Sequence, residues 1–84
     1  MDKKVERLIT ICSNERIKNA CFELMTKALH EEGLCVGNKN YKTMITPATE
    51  TIAMVTLIAT NNEWEAEFRI DVEKCSIGLL AING

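Results

Sequence analysis

The chain has 84 residues, 46% hydrophobic and 26% charged, with a formal net charge of −2. That is the composition of one ordinary globular domain. It excludes disorder, an apolar run of the roughly 18 residues a bilayer span needs, and the concentrated Lys/Arg surface of a general nucleic-acid binder. A chain of this size hides only about 60–65% of its unfolded surface, so one compact core is expected and a deep cavity is not.

The charge is unevenly placed. Residues 1–43 carry eight Lys/Arg against six Asp/Glu, and residues 44–84 carry two against six. The opening Met1-Asp2-Lys3-Lys4 leads into Glu6 and Arg7 rather than an apolar stretch, and does not read as a secretory signal. Cys12, Cys21, Cys35 and Cys75 are therefore expected as reduced thiols of a cytoplasmic protein; in a secreted domain they could instead form two bridges, with three possible connectivities.

The helical region is expected over about residues 3–32. Val5, Leu8, Ile9 and Cys12 match a helical stripe, and strand alternation would put Arg7 on the face of Val5, Ile9 and Ile11. Ile17, Ala20, Cys21, Leu24, Met25, Ala28 and Leu29 recur at spacings of three and four and predict a helix from about Asn14 to Glu32. Ser13 or Asn14 can cap its start, and Gly33 with Leu34 suits its end. The two stripes point about 140° apart at 100° per residue. Either the chain breaks near Ser13-Asn14, or one helix of about 45 Å offers its halves to different partners.

The sheet region follows, over about residues 41–82. Tyr41 to Thr46 reads as a strand ended by Pro47, and Thr51 to Thr60 as a second, rich in β-branched residues. Asn61-Asn62 suits a tight hairpin, because Asn tolerates positive φ. From Glu63 to Val72, Trp64, Ala66, Phe68, Ile70 and Val72 alternate with charged residues. This strand has one apolar and one mostly acidic face. A turn near Glu73-Lys74 leads to a strand over Ser76–Ile82. The fold class is therefore α+β: one or two N-terminal helices packed on a three- to four-stranded antiparallel meander.

The second strand has two apolar faces, Ile52, Met54 and Ile58 on one side and Ala53, Val55, Leu57 and Ala59 on the other. A single strong helix stripe covers only one side of a sheet. The side near Val55, Leu57 and Leu79 is expected to need further cover, from the first helical segment or from a second chain. Each large side chain left in water would forgo about 1.5–3 kcal/mol. Self-association, a dimer before other states, is the expectation, through Val55, Leu57 and Leu79 or through Val5, Leu8 and Ile9.

No catalytic signature stands out. His30 and the scattered cysteines lack the close Cys-x-x-Cys spacing of a zinc site, and no metal or cofactor is expected. Cys35 follows a helix C-terminus, whose partial negative charge opposes a thiolate. Gly37-Asn38-Lys39-Asn40-Tyr41-Lys42 is a turn cluster; Lys39, Tyr41 and Lys42, with Arg69 as a further contact, are the first place to look for an anionic or nucleotide-like ligand bound between subunits. Glu65, Glu67, Arg69, Asp71 and Glu73 lie on the charged strand face. They read either as a solvated face or as a recognition surface for a basic protein partner. The expectation is a non-enzymatic accessory or regulatory protein, an adaptor or inhibitor, that self-associates and binds a larger protein through Glu65, Glu67, Arg69 and Asp71.

Overall fold

A computed structural model describes residues 3–83. Two helices, α1 (Lys3–Cys12) and α2 (Glu15–Glu31), precede four strands, β1 (Tyr41–Pro47), β2 (Ile52–Ala59), β3 (Glu65–Asp71) and β4 (Ser76–Asn83). The strands form one antiparallel sheet in the order β1-β2-β3-β4. The fold is α+β, with its helices N-terminal to an antiparallel meander.

The offset between the two helical stripes is resolved by a break. The Ser13 hydroxyl donates to the Ile9 carbonyl at 2.7 Å, and Asn14 is extended (φ −65°, ψ 137°). The Asn14 Oδ1 accepts from the Arg16 amide at 2.8 Å, which occupies one of the free donors at the start of α2. At the other end Gly33 takes φ +77°. Its amide donates to the His30 carbonyl and that of Leu34 to the Leu29 carbonyl, both at 2.9 Å. This paired closure needs the left-handed conformation that glycine adopts without steric cost.

Both helices pack on the same side of the sheet. Leu8 and Cys12 of α1 and Cys21 and Met25 of α2 join Ala53, Val55, Leu57, Ala59, Ala66, Phe68 and Ile70 in one core. Helix α1 lies against β1 and β2, and α2 against β4. Burial of the larger core side chains, Phe68, Leu8, Met25, Leu57 and Val55, supplies roughly 1.5–3 kcal/mol each before the entropy cost of ordering them.

This arrangement corrects the expected assignment of the two sheet faces. Val55 and Leu57 are 1% and 0% exposed within the single chain, because they lie on the helix side. Val55 pairs with Phe68 and Leu57 with Ala66, so the apolar face of β3 carries the matching face of β2 inward with it. Leu79 faces Phe68 on the same side and is half-buried. Leu8 is 1% exposed, and Val5 and Ile9 are half-buried on α1. None of these six residues lies on the side of the sheet opposite the helices. Helix α1 does not cover that side either.

Two details of the strands also differ from simple alternation. Strand β3 begins at Glu65, and residues 60–64 form a wider loop in which Asn62 takes φ 61°. In β4 the register shifts opposite Glu67 and Phe68, leaving Leu80 without a direct partner. The bulge returns Ile82 to the helix side, opposite Ala66, and sends Ala81 to the other face, opposite Glu67.

Candidate functional site

The side of the sheet away from the helices is the candidate site. Its pattern follows from register. One row across the strands is Lys42, Ile58, Glu65 and Asn83. The next is Met44, Thr56, Glu67 and Ala81, with Leu80 beside it, and the third is Thr46, Met54, Arg69 and Gly78. Ile52 and Asp71 begin a fourth. An apolar strip of Met44, Ile52, Met54 and Ile58 therefore borders a charged column on β3, with Leu80 and Ala81 beyond it. Met44 is 57% exposed and Leu80 51%.

Four of the charges on this face are unengaged. Among the described residues, Lys42, Glu65, Glu67 and Arg69 form no ion pair; the two ion pairs present are Lys4–Glu50 and Lys18–Glu15, both elsewhere. Glu65, Glu67 and Arg69 lie on the expected face of β3. Asp71 does not belong with them as a recognition group. It is buried, and its Oδ1 accepts from the Glu73 and Lys74 amides at 3.1 and 3.0 Å. Its carboxylate closes the β3–β4 turn, which passes through Cys75 at φ 53°.

The expected anion-binding trio is split. Tyr41 points to the helix side and stacks on Phe22 at 5.3 Å and 16°, with Trp64 beside both. Burial, with Glu15 and Cys21 nearby, pushes the Tyr41 hydroxyl pKa up. Lys42 lies on the opposite face of the same strand. Lys39 stands at an open groove of about 540 Å³ with Phe22, Lys27, His30, Cys35 and Val36. Asn38 and the Asn40 amide are committed to the fold. Asn38 Oδ1 accepts from the Asn40 amide at 2.9 Å, its Nδ2 donates to Thr60 at 3.1 Å, and its carbonyl accepts from the Trp64 indole at 2.9 Å.

The thiols divide into two kinds. Cys12 and Cys21 are fully buried, and burial raises both pKa values, that of Cys21 to about 11 with a further contribution from Cys12. Cys35 and Cys75 are exposed. His30 and Cys35 line the same groove, but no hydrogen bond joins them. Among the described residues no three His, Cys, Asp or Glu side chains gather at one point, and no helix is long and apolar enough to cross a membrane.

Sequence reasoning missed Met44, Met54 and Ile58 as the open apolar strip. The signal was present in the β2–β3 register, which ties the parity of β2 to the unambiguous parity of β3. Comparison of the chain with protein-family models, with curated proteins and with solved structures gave no match.

Proposed function

We propose that this chain is a small non-enzymatic regulatory or accessory protein that acts by protein–protein association through the open face of its sheet. One observation carries the reading. Both helices pack on one side, which leaves Met44, Ile52, Met54, Ile58 and Leu80 beside four unengaged charges on the other. Contiguous apolar groups rimmed by polar ones favour a protein contact. Glu65 and Glu67, set beside Lys42 and Arg69, favour a partner that presents both signs of charge in complementary places, which would steer its approach. The four free cysteines support a reducing, cytoplasmic setting.

The test is site-specific photo-crosslinking in cells, with the reactive group placed at Met44, at Met54, or at Glu23 on the exposed side of α2. Discrete protein adducts from Met44 and Met54 are expected, and none from Glu23. Equal labelling at all three positions, or none at the sheet positions, would sink the reading.

The groove beside α2 supports a second reading, a site for a small amphipathic anion. Phe22, Leu34 and Val36 supply apolar wall, and Lys27 and Lys39 supply cationic groups, with His30 beside them. Charge reversal of Lys27 and Lys39 should then abolish binding of anionic dyes to the native protein, measured by fluorescence titration; binding unchanged by the reversal rejects this site.

A further inference from the structure

We propose that the open sheet face is occupied by a second copy of this chain, docked face to face about a two-fold axis that runs across the strands through Met44 and Glu67. The inference rests on the reading of this face as a protein-docking surface and names its occupant.

The charges argue for a like partner. Lys42 and Arg69 are balanced by Glu65 and Glu67, so the unengaged charge on the face sums to zero. A surface carrying both signs in separate places matches a copy of itself, whereas a purely basic partner would meet Lys42 and Arg69 unfavourably. The register then tests whether one symmetry operation satisfies these groups together. A half-turn about the row Met44, Thr56, Glu67 and Ala81 brings the row Lys42, Ile58, Glu65 and Asn83 over the row Thr46, Met54, Arg69 and Gly78. Glu65 of each copy then faces Arg69 of the other, Ile58 faces Met54, and Met44 meets its own copy. Two ion pairs and a central apolar contact come from one operation. Stacked sheets cross at about 30° in this packing, which keeps the middle rows closest.

Two of the four charges gain no opposite charge: Lys42, which faces Thr46 on the edge strand, and Glu67. Glu67 lies on the axis and faces its own copy. This arrangement makes the contact weaker than the apolar strip alone would make it, and it provides a diagnostic substitution.

Size sets the strength. Four strands about 4.8 Å apart and about seven residues long give a face of roughly 450 Å² in projection. Two such faces fall at the small end of specific interfaces. The dimer is therefore reversible, with a dissociation constant on the order of micromolar.

Sedimentation equilibrium on the full chain, from about 1 to 200 µM to bracket that range, tests the proposal. The wild type should pass from monomer to dimer. Glu65→Arg and Arg69→Glu should each weaken association by about tenfold or more, because like charges then face each other twice. An equimolar mixture of these two variants should recover the wild-type affinity, as should the single chain carrying both changes, since each restores both opposite-charge pairs. Glu67→Gln should tighten the dimer. Thermal melts of the dilute monomers control for folding. A chain that stays monomeric throughout the range, or a dimer that none of these substitutions shifts, overturns the proposal. If the chain is monomeric but Met44 and Met54 still crosslink to a different protein, the self-contact fails and the docking face stands; if those crosslinks are lost as well, both fail.

Discussion

The indole N–H of Trp64 donates to the carbonyl oxygen of Asn38 at 2.9 Å, joining the loop that leaves α2 to the loop that enters β3. The same ring packs beside Phe22 and Tyr41, so one side chain ties helix, loop and sheet together. Trp64→Phe keeps an aromatic ring and deletes the donor. The expected loss is about 1–2 kcal/mol in urea denaturation, with faster amide exchange at residues 38–40 and little change elsewhere.

The thiols should titrate in two classes. Native protein should give two fast equivalents with a thiol reagent, from exposed Cys35 and Cys75. Buried Cys12 and Cys21 should react only as the chain opens, giving four in denaturant. Four fast equivalents in the native state would contradict the core described above.

Alkaline pH should destabilise the fold through Cys21. Its folded pKa is raised from 9.0 to about 11, so the unfolded chain loses this proton first as pH climbs. Stability is then level below about pH 9 and falls between about 9 and 11, by up to roughly 2–3 kcal/mol from this group. Cys12 shifts in the same direction for the same reason. Cys21→Ala should flatten the slope, which chemical denaturation across that range measures.

Asp71 and its neighbours on β3 should separate by stability. Asp71→Ala removes the buried acceptor of two amide hydrogen bonds of the β3–β4 turn and should cost about 1.5–3 kcal/mol. Asp71→Asn keeps an acceptor oxygen and should cost less. Glu65→Ala and Glu67→Ala should change monomer stability by no more than about 0.5 kcal/mol, since neither side chain has an ion-pair partner among the described residues.

The two sides of the sheet should respond oppositely to truncation. Phe68→Ala empties the centre of the core and should cost about 3–5 kcal/mol. Met44→Ala, at a position 57% exposed, should leave the monomer within about 0.5 kcal/mol of wild type. Its effect should appear in association, read by sedimentation.

Much of the architecture was legible because local signals agreed. The α2 stripe, the Asn14 cap, the Gly33-Leu34 stop and the alternation of β3 each point to the element observed. The face assignment of β2 was not legible from β2 itself, because a strand apolar on both sides carries no parity signal. The bulge at Leu80 has no mark in the sequence, and it reverses the sides of Ala81 and Ile82. Asp71 was misread because it continues an acidic alternation, although an Asp two and three residues before free amides is also a turn former. The residues expected to form an apolar contact surface, Val55 and Leu57, lie instead under the helices.

Under the proposed function, a sheet with helices on one side offers its other side as one protein berth. Whatever settles there excludes every other visitor, a second copy and an unlike protein alike. Under the proposed dimer, abundance therefore becomes a control: when the chain is scarce its berth stands open, and when it is plentiful the copies occupy one another. Capture of an unlike protein should then depend on how much free single chain is present, and should fall behind the total amount as that amount rises.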